Sequence, residues 1–520
     1  MWWQASSSRP RASPRVPLPA VTLSQAPRSV RGHSRPRCYV RRAETNSMSR
    51  IFPLSAALLS LCLALASCSK VPGQASGTRN RGAPCPGCNV VLISMDTVRA
   101  DHLSLYGYKR KTSPNLDRFA KKAFVFESAI SQTAWTLPGH GAMMTGLYPS
   151  RLGVQRYPAL RRLPEVETLA SVFKKAGYET AGFTGGGFVA AHFGFDRGFD
   201  VYSSKGRRFD HNMNDALAWL ERHRDGPFFL FVHGYDAHRP YYSNPSDRRA
   251  VGIDDSGPRE IRGFCSRTQR RRPDNLELIV GYYDAAIHHA DRFVGRLFDA
   301  LKRLGLDRRT VVLVTSDHGE EFFEHGHCDH VRFLYQEVIR VPYILRIPGA
   351  GRPRRIAGVV PASISVARTL LDAVGVANNM PGVSLLPVVL GKRGPFEGVF
   401  SETESPLGAL GSRGATIALT TATDKLIEYT EEGSSEGYDL RRDPGEQQVL
   451  PEGHPVYRKR ASLRSWHDSL APLPRAKRVP KAAARRHGAR GKQGSREAEP
   501  KPEKIPKKLE DALRSLGYLE

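Results

Sequence analysis

The sequence predicts an α/β protein: a doubly wound, mostly parallel sheet flanked by helices, followed by a small C-terminal antiparallel subdomain. Three observations carry that reading. Short, nearly continuous apolar runs occur at 89–95, 227–233 and 310–315, the pattern of strands buried on both faces. Amphipathic helical patterns at 115–122, 166–176, 212–223 and 276–304 separate them, so strands alternate with helices rather than with hairpins. From about 397 the texture changes to shorter, more polar β-like pieces at 414–419 and 425–429. The first apolar run ends at Asp96, the second near Asp236 and His238, and the third at Ser316-Asp317-His318-Gly319. Parallel sheets bind ligands beyond the carboxyl ends of their strands, so these polar clusters mark where chemistry is expected.

The chain has 520 residues, long enough for one large α/β domain and a smaller piece. Its 40% hydrophobic and 25% charged content is that of a globular protein. The net charge of +27 is unevenly placed. Residues 1–47 hold nine Arg against Glu44 alone, and residues 475–508 hold thirteen Lys/Arg against three Glu. These segments carry +8 and +10, leaving +9 for everything between and after them. No RNA- or DNA-binding signature interleaves aromatics with these charges, so the basic segments read as solvated or membrane-facing tails and no nucleic-acid partner is expected. Seven cysteines at irregular spacing describe no disulfide framework. Cys85 and Cys88 form a lone CxxC without a second pair, which excludes a zinc ribbon and leaves a local disulfide or two thiols open.

Ahead of the first strand the chain carries an address. Arg50 precedes a 16-residue apolar run, 51–66, shorter than the ~20 residues a membrane span needs but right for the core of a signal peptide. It ends in Leu65-Ala66-Ser67-Cys68, which resembles a bacterial lipobox; a plain secretory signal is the alternative. The resemblance implies a diacylated Cys68 and residence in the bacterial cell envelope, on the outer membrane or the periplasmic face. The expected organisation is an extension of no evident role at 1–47, a lipoprotein signal at 48–67 and a Gly/Pro/Ser-rich linker at 68–88. A catalytic domain at 89–396, the antiparallel subdomain at 397–470, a basic low-complexity tail at 471–508 and an amphipathic segment at 509–520 follow.

Four constellations carry chemistry. Asp96, in Ser94-Met95-Asp96-Thr97-Val98-Arg99, ends a buried strand, where a carboxylate is costly unless paired or metal-bound; on spacing alone it is equally a turn or capping residue. In Thr136-Leu137-Pro138-Gly139-His140, Pro138 allows a helix start but no interior, so Thr136 lies at a helix N-terminus, as a cap or beside an anion. Asp317 and His318 form a mixed oxygen/nitrogen pair suited to a divalent cation, and Glu324, His325, His327, Asp329 and His330 crowd the following loop. The run His233-Gly234-Tyr235-Asp236-Ala237-His238 ends the remaining strand.

In this order the runs resemble the sulfatase family of the alkaline-phosphatase superfamily, over roughly 88–445. NVVLISMDTVRADHLSLYGY, TLPGHGAMMTGLYPSRLGV, SDHGEEFFEHG and EGYDLRRDPGEQQVL match its successive motifs, and LRSLGYLE is similar to the terminus of one bacterial branch. The resemblance implies a metal-dependent ester hydrolase. Asp96, Asp317 and His318 would hold one divalent ion with Thr136 as fourth ligand. His238 would contact the bound oxyanion, His330 would contact it or protonate the leaving oxygen, and Arg99 and His140 would face the site.

The chain also departs from the family pattern. Sulfatases carry Cys or Ser in a CxPxR setting, oxidised to formylglycine; here Thr136 and His140 replace Cys and Arg. Oxidising threonine yields a ketone, which closes that route. Thr97 replaces the second Asp of the usual pair, and His318 replaces Asn, which moves the expected ion from calcium toward zinc or manganese. The expectation is therefore hydrolysis of a phosphate or sulfate ester with Thr136 as nucleophile, phosphoesters being favoured by the chemistry. A sulfuric ester hydrolase working without formylglycine and a non-catalytic glycan-binding lipoprotein are the alternatives. The substrate is a small molecule or glycan ester, and the sequence leaves the oligomeric state open.

Overall fold

The computed structural model describes residues 82–156, 161–254, 256–261, 265, 273–404, 415–473 and 506–516. The extension 1–47, the signal segment 48–67, Cys68 and most of the basic tail lie outside the described residues. The strands, in chain order, begin with β1 (Asn89–Met95), β2 (Phe124–Ile130), β3 (Glu179–Phe183), β4 (Val201–Ser203) and β5 (Phe228–Gly234). Then come β6 (Tyr241–Tyr242), β7 (Glu260–Ile261), β8 (Thr310–Thr315), β9 (Glu321–Phe322), β10 (Cys328–Asp329), β11 (Arg340–Val341), β12 (Tyr343–Arg346) and β13 (Arg355–Pro361). The last four are β14 (Val399–Glu404), β15 (Ala415–Thr420), β16 (Asp424–Tyr429) and β17 (Ser434–Asp439).

Nine strands form the main sheet in the order β11-β2-β12-β8-β1-β5-β3-β4, with β13 also paired to β2. From β4 through β8 all neighbours are parallel; β12 breaks the run, antiparallel to both β8 and β2. The continuous apolar character of β1 has a direct cause. Val90 and Leu92 pack on one face with Phe229, Phe231, Val311 and Leu313, while Val91, Ile93 and Met95 pack on the other with Leu230, Val232, Val312 and Val314. A strand covered on both sides has no solvent face on which to place polar residues. Helices Leu169–Lys175 and Val366–Ala373 cover the first face, and Phe209–Arg222 and Leu276–Arg303 the second.

Strands β14–β17 form a separate antiparallel meander. The terminal amphipathic segment is a helix, Lys507–Ser515, and it folds back: Leu509, Leu513 and Leu516 are buried in the core on the first face of the main sheet. No described helix is long and apolar enough to cross a membrane. Of the alternatives left open for Cys85 and Cys88 the structure has the local disulfide, and it adds a pair that the spacing did not suggest. Cys85 pairs with Cys88, and Cys265 pairs with Cys328, 63 residues away in sequence. Only tertiary proximity could reveal the second pair, because neither residue belongs to a recognisable spacing.

Candidate active site

Strand register brings the sequence-distant clusters together. β1 is the middle of three parallel strands, and Ser94 lies opposite His233 of β5 on one side and Thr315 of β8 on the other. Asp96, His233 and the pair Asp317–His318 therefore leave the sheet side by side at its carboxyl edge. The fourth component is the helix Thr136–Thr145, which starts at Thr136, as Pro138 required. Two motif glycines explain how closely these pieces approach. A Cβ on Gly139 would sit 3.0 Å from Asp317 Cβ, and one on Gly319 would sit 2.1 Å from the Glu337 carbonyl oxygen.

Asp96, Thr136, Asp317 and His318 are all fully buried. Asp96, Asp317 and His318 offer ligand atoms that lie within 4.8 Å of one another. Asp96 Oδ1 and Asp317 Oδ2 make no hydrogen bond, although Asp317 Oδ2 lies 3.2 Å from His318 Nε2. His318 Nδ1–H donates to the Gly319 carbonyl at 2.9 Å, so its Nε2 presents a lone pair, 3.3 Å from Thr136 Oγ1. Two unsatisfied carboxylate oxygens, one imidazole nitrogen and one hydroxyl make a donor set that fits a single divalent cation. Electrostatics agree. Burial and the Asp317 carboxylate push the Asp96 carboxyl well above the usual range. Burial opposes the charge on Asp317 too, but the His318 and His140 imidazoles beside it hold its carboxyl low. A divalent cation removes the like-charge conflict between the two carboxylates.

Residues behind these four side chains hold them in place. His233 Nδ1 accepts the Gly185 N–H at 3.1 Å, which puts its proton on Nε2, and that N–H donates to Asp96 Oδ2 at 3.1 Å. Burial and the nearby His140 keep His233 well below the ordinary histidine pKa, as a neutral donor requires. His140 Nδ1–H donates to the Thr136 carbonyl at 3.0 Å and lies 3.3 Å from Asp317 Oδ2, while its Nε2 accepts from Ser94 Oγ at 2.9 Å. His140 thus faces the site from behind, holding Thr136 and Asp317 in place. The sequence reading missed His233 as a site residue; its position at the end of β5, in register with Ser94, was the available signal.

The opposite wall is built from loops. The His330 ring packs 4.4 Å from that of His318 and 5.0 Å from that of His238. His330 Nδ1 donates to Glu320 Oε1 at 2.9 Å and forms an ion pair with Asp329, whose Oδ1 lies 2.9 Å away. Burial disfavours its charge, yet the Asp329 and Glu320 carboxylates overcome this and raise its pKa to about 10. His330 is therefore an imidazolium at neutral pH. His238 Nδ1–H donates to the Arg239 carbonyl at 2.8 Å, and burial together with His330 keeps it well below the ordinary pKa. Two adjacent imidazoles thus differ in charge, one a proton donor and one neutral. Glu320 and Asp329, which set that difference, were not among the sequence-predicted site residues.

Backbone strain accumulates on both walls. Asp329 and Val331, on either side of His330, have φ of +82° and +90°, and Thr97, next to Asp96, has φ of +58°. For non-glycine and especially β-branched residues each such conformation costs roughly 1–3 kcal/mol and persists only where its surroundings impose it. Arg99 is held by carboxylates of the motifs. Its Nε and Nη2 form a two-pronged pair with Asp101 at 3.0 and 2.7 Å, and its Nη1 donates to the Glu320 carbonyl and to Glu324. The guanidinium thus ties the segment after β1 to the segment after β8.

Comparison with known proteins fits this arrangement. A family model described as sulfatase matches residues 88–376, and one described as N-sulphoglucosamine sulphohydrolase, C-terminal, matches 323–465. The chain is 26% identical over 366 residues to an endo-4-O-sulfatase of Bacteroides thetaiotaomicron, covering 56% of this chain and 70% of that one. It is 25% identical over 430 residues to a Delta 4,5-hexuronate-2-O-sulfatase of the same organism, covering 71% and 86%. Among solved structures, a protein in complex with its substrate D-glucosamine-2-N,6-O-disulfate aligns with a TM-score of 0.61 at 20% identity, over 74% of this chain and 97% of that one. The phosphonate monoester hydrolase of Agrobacterium radiobacter aligns with a TM-score of 0.57 at 20% identity, over 74% and 95%. At these identities the two structures speak for the fold alone.

Proposed function

The chain belongs to the sulfatase family of ester hydrolases, and on that premise we propose that Thr136 is its nucleophile and that a phosphate or sulfate ester is its substrate. One observation supports this above all: Thr136 Oγ1 stands at a helix N-terminus, 3.3 Å from His318 Nε2, beside two buried carboxylates. Asp96, Asp317, His318 and the Thr136 hydroxyl would hold one divalent ion, zinc or manganese by donor type, which when bound lowers the hydroxyl pKa and offsets the carboxylate charge. The helix N-terminus favours the anionic group of the ester. Thr136 reacts as the alkoxide, its hydroxyl proton having passed to solvent; Oγ1 forms the new bond to phosphorus or sulfur as the bond to the leaving oxygen breaks. His330, held protonated by Asp329 and Glu320, gives its proton to that oxygen. Water or an acceptor alcohol then cleaves the threonine ester, and neutral His330 takes the proton back. His238 touches the oxyanion from the other side; a bound anion favours its protonated form, in which Nε2 also donates.

Phosphoesters suit this chemistry better. A sulfated formylglycine hydrate expels sulfate by elimination through its second hydroxyl, and threonine has no second hydroxyl. The sulfatase relatives favour a second reading, cleavage of sulfate esters on a saccharide by attack of water at sulfur. Assays with aryl sulfate, aryl phosphate and bis-aryl phosphate, together with metal analysis and mass spectrometry of the Thr136 peptide after substrate exposure, decide between them. A phosphorylated Thr136 with phosphate turnover is expected; sulfate release exceeding both phosphates would reverse the preference. On the lipobox alone, we also place the enzyme at the bacterial cell envelope, anchored through Cys68.

A further inference from the structure

Thr97 follows Asp96 directly and occupies the left-handed region, where a β-branched side chain is held only by force. Its contacts show what holds it. Thr97 Oγ1 donates to the Asp96 carbonyl at 2.7 Å, and Val98 N–H donates to Ser316 Oγ at 3.0 Å. A further brace comes from a distant helix. The Tyr283 hydroxyl donates to the Thr97 carbonyl at 2.7 Å and accepts the Arg99 N–H at 2.9 Å, so one oxygen clasps the chain on both sides of the turn. Tyr283 is fully buried on the helix Leu276–Arg303, and its ring packs edge-on against His102 at 5.2 Å, Tyr241 at 5.4 Å and Phe322 at 4.9 Å. Its oxygen therefore has one position.

We infer that Tyr283 is a positioning residue for the metal centre: its hydroxyl locks the strained Thr97 turn and thereby aims the Asp96 carboxylate at the cation. The inference rests on Asp96 being a metal ligand, as proposed above. If the clasp matters because Thr97 is strained, then removing the strain must remove the need for the clasp. The test is zinc titration of the full-length metal-free protein against a competing chelator, with circular dichroism and thermal melting alongside. Tyr283→Phe is expected to remain folded and to weaken zinc binding roughly 10–100-fold, the usual scale for residues that orient ligands. In a Thr97→Gly background, where positive φ is freely adopted, the same change is expected to cost no more than about threefold. Tyr283→Phe binding zinc as the wild type does, or losing equally in both backgrounds, would overturn the inference. If Tyr283→Phe alone fails to fold, the double variant must fold and bind zinc like Thr97→Gly; a double variant that stays unfolded also overturns it. A wild-type chain that binds neither zinc nor manganese refutes the metal site itself, a different failure from the loss of the clasp.

Discussion

Asp96, Thr136, Asp317 and His318 stand on the frame of the fold, at the ends of β1 and β8 and in the first turn of a ten-residue helix. His238 and His330 stand on connecting segments and Asp329 ends the two-residue strand β10, and here the left-handed Asp329 and Val331, the Cys265–Cys328 disulfide and the Arg239–Asp329 ion pair do much of the work of longer regular structure. The frame side needs exact placement relative to one ion, and register in a buried sheet supplies it. The loop side must set the charge of an imidazole and meet a leaving group, which calls for several carboxylates brought in from different directions. Loops do this at the cost of strain, and the strain then depends on neighbours such as Thr403, whose Oγ1 donates to the Val331 carbonyl at 2.6 Å.

If the two sides differ in this way, damage to each should read differently. The largest expected effect is Thr136→Ala, which removes the nucleophile and should lower kcat on the order of 10⁴-fold or more, equally for esters with good and poor leaving groups. Unchanged turnover in every ester assay would end the catalytic assignment. Next, His330→Gln should cost roughly 10²–10⁴-fold on alkyl esters but far less on nitrophenyl esters, whose leaving oxygen needs no proton. A uniform loss across leaving groups would put His330 with the ligands instead.

Smaller still is Glu320→Gln. It removes one of the two carboxylates that hold His330 protonated up to about pH 10, so the alkaline limb of the pH–rate profile should move to lower pH. A limb that stays put would assign that ionisation to another group. The smallest effect lies away from the chemistry. Burial disfavours the charge on His325, but Glu337, at 2.6 Å, raises its pKa to about 9. Because the folded pKa exceeds the unfolded value near 6.5, this pair stabilises fully below about pH 6.5 and loses its effect as pH rises through 9. His325→Gln should therefore cost about 1 kcal/mol in denaturant unfolding at pH 6 and close to nothing above pH 9.5.

Much of the frame was legible in the chain because its physics is local. A strand buried on both faces must be apolar throughout, a proline in the first helical turn marks a helix start, and a carboxylate after such a strand invites a cation. These rules picked out β1, β5, β8, the helix at Thr136 and the pair Asp317–His318, while Asp96, a turn or capping residue on spacing alone, gained its metal role from the family resemblance. Thr136 as nucleophile rests further on the place of its motif between two metal motifs. What the tertiary structure alone decided is non-local. That His233 serves Asp96 follows from β1 and β5 lying side by side, and that Arg99 pairs with Glu324 follows from the fold bringing together residues 225 positions apart. The pairing of Cys265 with Cys328, the protonation of His330 and the clasp of Tyr283 on Thr97 each join residues tens to nearly two hundred positions apart or set a group by its surroundings. A periodicity records what one segment buries; it carries no record of which distant group will stand against it.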